Sequence, residues 1–286
     1  CNFVNNYIQI FFFGIENSFK NNIIVNNIDI SSMPLLRFRI NQINEIESNI
    51  VYNNGNASKS FGTYSSGWGI YNLPPNYFGT TNSYYIEQHI LDFFENSSLP
   101  IISGVNALHA PPAECHGIVW KVEINNIETN IYDNPYNSPT GLGVVGNQTL
   151  EFKVYFNRAM NPAYQPFLTF GVREPYTQHI VQDNSSWSAD STVWTAYYTV
   201  GLNTGDGIQR IRVTGAKDMD NFEIPDEYRR FEFVIQAAGS QSLNFQATAG
   251  IGKVDLEWPG ADLADILGYN MYRYENITDS TYTEPI

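Results

Sequence analysis

The pattern of apolar and polar positions changes character along the chain. Near the start, a short apolar run closed by paired asparagines occurs three times: CNFVNN at Cys1 to Asn6, NIIVNN at Asn22 to Asn27, and NIVYNN at Asn49 to Asn54. Asn5, Asn26 and Asn53 are 21 and then 27 residues apart, a period at which each repeat is one turn of a stacked solenoid. Phe3, Ile24 and Val51, at the middle of each copy, are then expected to lie over one another in a shared core. Asparagine suits the corners because it tolerates a left-handed backbone and its amide can stack into ladders.

From Gly55 to Pro112 the period fades into Gly, Ser, Tyr and Pro. The spacing of Tyr85, Ile86, His89, Ile90 and Phe93 predicts a helix over Ser83 to Glu95. A solenoid end leaves strand edges and core side chains uncovered, and the stretch containing Tyr64, Trp68, Tyr71, Tyr77 and Phe78 can cap it. The same rings beside glycine loops suit the apolar faces of sugars, so Tyr64, Trp68 and Tyr71 are also candidate carbohydrate-binding residues. Arg37 and Arg39, two apart on a strand, either hold a sugar carboxylate or form part of a solvated solenoid face.

After Pro111-Pro112 the pattern turns to period two. Ile118, Trp120, Val122 and Ile124 point one way, and Lys121 and Glu123 the other. The same alternation runs through Leu150, Phe152, Val154 and Phe156, through Trp194, Ala196, Tyr198 and Val200, and through Phe231, Phe233 and Ile235. Thr204-Gly205-Asp206-Gly207 reads as a hairpin turn between two of these strands. Half-buried antiparallel strands of this kind predict two sheets packed face to face. A second alternation, Val254, Leu256 and Trp258 against Lys253, Asp255 and Glu257, follows a short Ala-Ala-Gly-Ser linker.

Three resemblances attach to these stretches. The Asn-Asn repeats resemble right-handed parallel β-helix proteins. FNRAMN (Phe156 to Asn161), NSSWSADSTVWTAYY around Trp187, and GIQRIRVTGAKDMDNFEIP (Gly207 to Pro225) resemble bacterial Ig-like domains. Asp220-Asn221-Phe222 stands there in place of the family's small glycine turn. KVDLEW followed by ILGYNMYRY (Ile266 to Tyr274) resembles the B and C strands of a fibronectin type III domain, with Trp258 in the inter-sheet core. Together they imply an all-β chain: the last coils of a parallel β-helix over 1–60, a capping segment over 61–117, an Ig-like β-sandwich over 118–238, and a truncated fibronectin type III-like module over 242–286. They also imply further β-helix coils of the same polypeptide ahead of Cys1, and a secreted or cell-surface bacterial setting.

Composition narrows the function. With 29 acidic residues against 15 Lys plus Arg and a net charge of −14, the chain lacks the broad basic face that neutralises phosphates, so nucleic acid is not an expected partner. No apolar stretch is long enough to span a bilayer as a helix. Cys1 and Cys115 are the only cysteines, too few for a disulfide framework. His109, Cys115 and His116 lack the further ligands of a zinc site. Asp218, Asp220, Asn221 and Glu223 offer oxygens to calcium but lack the central glycine and distant glutamate of a calcium loop, so a polar turn is the preferred reading and no cofactor is expected. No pair of carboxylates and no nucleophile with its base can be assigned, so no catalytic residue is named. The expected role is non-catalytic: supporting and spacing modules of a secreted or surface β-helix protein, with contact to polysaccharide or a cell-surface ligand. The alternatives are the C-terminal part of a polysaccharide lyase or glycoside hydrolase, implied by the β-helix resemblance, and an adhesin.

Overall fold

The computed structural model describes residues 1–6, 10–11, 16–27, 34–38, 43–54, 59–63, 69–104, 106–237, 246–250 and 253–257. It is predominantly β. The first part contains strands β1 (Asn2–Val4), β2 (Ile10–Phe11), β3 (Glu16–Lys20), β4 (Ile23–Val25), β5 (Leu36–Phe38), β6 (Ile43–Glu47), β7 (Ile50–Tyr52), β8 (Phe61–Thr63), β9 (Ile70–Asn72), the short helix α1 (Ser83–Glu87), β10 (Ile90–Leu91) and β11 (Ile101–Ser103). All pairing among these strands is parallel, in the orders β1-β4-β7, β2-β5-β8-β10, β3-β6 and β9-β11. Each turn of the chain thus adds one strand to each of several stacks.

The register follows the Asn repeat. Phe3 lies beside Ile24 and Ile24 beside Val51, and Ile24 and Val51 share a buried core with Leu36, Ile46, Phe61 and Ile90. Two ladders of buried asparagine close the ends of the β1-β4-β7 stack. At one end Asn22 N and Nδ2 donate to Asn49 Oδ1 at 3.0 and 2.9 Å, and Asn49 repeats both bonds to Asn76 at 3.0 Å. At the other, Asn27 N and Nδ2 donate to Asn54 Oδ1, each at 3.0 Å. Asn5, Asn26 and Asn53 all take φ between +53° and +57°, the corner conformation that asparagine accepts more readily than branched residues.

Parallel stacking does not stop at residue 60. β8 and β10 extend the β2-β5 stack, β9 and β11 form a further parallel pair as far as Ser103, and Ile50 bridges in parallel to Tyr77. Asn76-Tyr77-Phe78 is therefore a fourth copy of the repeat, with Gly79 and two threonines where the others have an apolar residue and Asn-Asn. The helix expected over Ser83 to Glu95 is only Ser83–Glu87, capped by the Asn82 side chain. Its second half is drawn into the stack, where Ile90 pairs with Phe61 and is wholly buried.

The second part contains β12 (Val119–Ile124), β13 (Ile127–Glu128), β14 (Val144–Val145), β15 (Gln148–Phe156), β16 (Phe167–Gly171), β17 (His179–Val181), β18 (Asp183–Trp187), β19 (Val193–Val200), β20 (Gly207–Thr214) and β21 (Glu232–Ile235). They form two five-stranded sheets, β13-β12-β15-β19-β18 and β14-β21-β20-β16-β17. One buried cluster joins them: Leu150, Phe152, Val154, Trp194 and Ala196 from the first sheet meet Leu168, Phe170, Ile211, Val213, Phe231 and Phe233 from the second. The alternating rows are buried as their period requires, and Phe152 stacks on Phe170 with ring centroids 6.0 Å apart.

Two details differ from the period-two reading. The run from Ile118 to Ile124 is not one row, because a bulge between Val119 and Lys121 shifts the register. Val119, Val122 and Ile124 face the core between the sheets, while Ile118 and Trp120 turn to the parallel stacks. The Thr204 to Gly207 segment is not a hairpin. β19 and β20 belong to different sheets, and a 3-10 turn over Leu202–Thr204 with positive φ at Gly205 and Gly207 carries the chain across.

β22 (Gln246–Gly250) and β23 (Lys253–Glu257) form an antiparallel hairpin in which Val254 is exposed. Trp258 and the ILGYNMYRY stretch lie outside the described residues.

Candidate functional site

The middle residue of each Asn repeat faces the coil core, so its neighbours on either side must face outward. That outer face is not wet. Ile23, Val25, Ile50, Tyr52 and Tyr77 are at most 5% exposed and form a separate cluster with Cys115 and Ile118, with Leu108, Trp120 and Phe222 packed against it. The bulge in β12 makes this contact, since it sends Ile118 and Trp120 toward the parallel stacks while the rest of the strand serves the core between the two five-stranded sheets. Burial pushes the Cys115 thiol up to about 12, and its sulfur lies 3.5 Å from the Ser48 carbonyl oxygen.

A buried ion pair closes the joint. Arg230, 1% exposed, donates from Nε to Glu227 Oε2 at 2.8 Å, and Nη2 lies 2.8 Å from the same oxygen. Its remaining hydrogens reach the carbonyl oxygens of Val119 at 2.6 Å and Gly79 at 3.2 Å, and the Tyr77 hydroxyl at 3.3 Å. The guanidinium lies 4.0 Å from the centre of the Tyr52 ring. Burial works against this charge, but Glu227 with the Tyr52 and Tyr77 phenols together offsets it and holds the Arg230 pKa above its ordinary value. Burial also lifts the Tyr77 phenol to about 12 and Tyr52 higher still. Gly79 is needed here, because a Cβ on it would sit 2.8 Å from Tyr52 Cβ.

Around this centre, polar groups tie the two parts together. Asp133 Oδ1 accepts from Thr80 Oγ1 at 2.7 Å, Thr81 N at 2.8 Å and Thr81 Oγ1 at 2.9 Å. Asn130 Nδ2 donates to the Gly79 carbonyl oxygen, Asn82 Nδ2 to that of Tyr132, and Asn26 Nδ2 to that of Asp226. Two clefts flank the joint. One, of about 100 Å³, lies between β7, α1 and the segment before β21. The other, of about 90 Å³, is lined by Trp120, Glu128, Asp133 and His109. Half-burial, then the charge of Asp133, raises the Glu128 carboxyl above its usual range.

His116 comes together with Asp218 and Asp220, their ligand atoms lying within 4.8 Å of one another. Asp218 is fully buried, and its oxygens accept from His116 Nδ1 at 2.8 Å, Gly117 N at 3.1 Å, and Asp220 N and Phe222 N, each at 2.9 Å. The Arg158 guanidinium stands 3.0 Å from Asp220. These donors meet the carboxylates from within the protein, and Asn221 makes the turn at φ 62°. Glu223 faces Lys217 at 3.8 Å. These bonds lock the loop around the buried Asp218 carboxylate.

Of the carbohydrate candidates, Tyr71 lies in β9, half-buried against the coil core, and burial raises its phenol. Arg37 lies in β5, on a different strand stack, beside Phe11 and Gly62. Tyr64, Trp68 and Arg39 lie outside the described residues. The joint itself was not anticipated. Its one sequence signal is Glu227 and Arg230 three apart in EYRRF, a spacing that solvated charges share.

Comparison of the chain with protein-family models, with curated proteins and with solved structures returns no match.

Proposed function

We propose that this chain is a supporting and spacing part of a larger secreted or cell-surface β-helix protein, in which an Ig-like unit is fused to the last coils as one body. The joint carries this reading: an apolar outer coil face, buried as deeply as a core, and an ion pair whose donors reach both parts. Modules joined only by a linker would share a small polar interface and move independently.

The β-helix assignment is supported by parallel stacks with a 27-residue register and asparagine ladders. The Ig-like assignment is supported by strand order. If β12, β15, β16, β18, β19, β20 and β21 are lettered A to G, the sheets read A-B-E-D and G-F-C, the order of that fold, with β14 added in parallel to the G strand. The fibronectin type III-like assignment has the β22-β23 hairpin behind it. A secreted setting and contact with polysaccharide follow from these assignments.

The test is incubation of the purified chain with pectic and host glycans. Unchanged glycan profiles are expected; turnover would refute the supporting role and favour a lyase or hydrolase. Saturable, side-chain-dependent binding to a host protein would favour an adhesin.

A further inference from the structure

In a chain with almost twice as many acids as bases, a cation without an acidic partner is conspicuous. Lys20, Lys59, Lys121, Lys153, Arg210 and Arg212 each sit within 3.0 Å of a carboxylate oxygen. Arg229 does not. Among the described residues its guanidinium has a long 3.5 Å bond to the Asn53 carbonyl oxygen and lies 5.6 Å from the Tyr228 ring centre. It is half-buried and lines the cleft of about 100 Å³ beside the joint.

Among the other residues that line the cleft, beside apolar Val51, Phe78 and Ile86, are two tyrosines, a histidine and an asparagine. Tyr85 and Tyr132 meet there with ring centroids 4.6 Å apart. His89 Nδ1 lies 2.7 Å from the Tyr85 carbonyl oxygen. A carbonyl only accepts, so in the neutral ring Nδ1 carries the proton and Nε2 offers a lone pair, for which the described residues supply no donor. Asn53 spends its amide hydrogens on Glu227 at 3.4 and 3.5 Å, leaving its Oδ1 as an acceptor. The cleft thus combines a cation, two acceptors of hydroxyl hydrogens and two aromatic rings.

We propose that this cleft binds an acidic sugar unit. The carboxylate lies against Arg229, ring hydroxyls donate to His89 Nε2 and Asn53 Oδ1, and the C–H face of the ring meets Tyr85 or Tyr132. A guanidinium without a carboxylate gains most from a planar, bidentate anion. Two hydroxyl acceptors beside it have no use for a purely apolar acid, and aromatic faces have no use for a bare inorganic anion. Ligand pockets for whole small molecules run to about 300 Å³ or more, so a cleft of this size admits one terminal unit and not a buried oligomer. The site adds to the supporting role without depending on it; if the site fails, the buried joint is untouched.

The test is calorimetric titration of the full chain with glucuronate, glucose and acetate, together with amide chemical-shift mapping. Glucuronate is expected to bind in the millimolar range, at least about tenfold more tightly than glucose or acetate. Shifts should concentrate at Asn53, Tyr85, His89 and Arg229. Arg229→Gln should weaken glucuronate about tenfold while the thermal midpoint stays unchanged. The proposal is overturned by the absence of saturable glucuronate binding, by glucose or acetate binding as tightly as glucuronate, by shifts located elsewhere, or by an Arg229→Gln chain that binds as the parent does.

Discussion

Asn49 is wholly buried, and its amide is shared between two copies of itself. Its Oδ1 accepts from Asn22, while its Nδ2 donates to Asn76 Oδ1 and to the Phe19 carbonyl oxygen. No smaller side chain makes these bonds, and Asn49→Ala takes the acceptor from the Asn22 backbone N–H and from its amide, and one donor from Asn76 Oδ1. Each buried group left without a partner costs about 1–3 kcal/mol, so chemical denaturation should show Asn49→Ala destabilised by at least about 2 kcal/mol. An exposed asparagine of the same repeat outside the left-handed corner, such as Asn6, should tolerate alanine far better. The ladder was legible because asparagine is a costly residue to bury, and its recurrence at the same place in three successive repeats has a single economical explanation. The fourth rung, Asn76, was not, since Gly79, Thr80 and Thr81 erase the rest of its motif. Glu128 illustrates the opposite case, a charge held at a cost. Its native carboxyl is raised by burial and by Asp133, so from the unfolded value near 4.5 upward the native state holds the proton more tightly than the unfolded state. Stability from this group is therefore lost as pH rises through that window. Glu128→Gln should raise the melting temperature near neutral pH, with the gain disappearing below about pH 4.5.

At the scale of elements, the strands β4 and β7 explain why the repeats carry three apolar residues in a row rather than an alternation. Ile24 and Val51 fill the coil core, and Ile23, Val25, Ile50 and Tyr52 fill the joint. A strand buried on both faces reads as a continuous apolar run. The middle position was readable from the repeat. What covered its neighbours was not, because the covering residues, Cys115 and Ile118, lie more than 60 positions away in sequence. Ile50→Ala separates the two possibilities. A wet outer face would make the change nearly neutral, whereas a buried one should cost about 2–5 kcal/mol, as large-to-small core substitutions do. Unfolding of the variant in urea checks it. The bulge in β12 was equally hidden: alternation shows a strand, but a single inserted residue that re-aims Ile118 and Trp120 leaves the hydrophobic string unbroken. The Gly-rich connection after β19 carries turn residues that serve a hairpin and a sheet crossing alike.

For the whole molecule, the period-two rows made the paired sheets legible, and the repeat made the stack legible. The joint between them depends on contacts separated by 111 to 153 residues around one arginine, which no local pattern encodes. Removing Glu227 would leave the Arg230 charge buried and unpaired, a loss of about 3–5 kcal/mol concentrated where the two parts meet. The direct test of a single rigid body is a pulsed electron-spin distance measurement between labels at Ser98→Cys on the coils and Ser185→Cys on the far sheet edge, with Cys1→Ser to remove the other exposed thiol. One narrow distance distribution is expected, broadening when Glu227→Ala is added. A broad or multi-peaked distribution with the joint intact would show that coils and sandwich move independently, and would contradict the account.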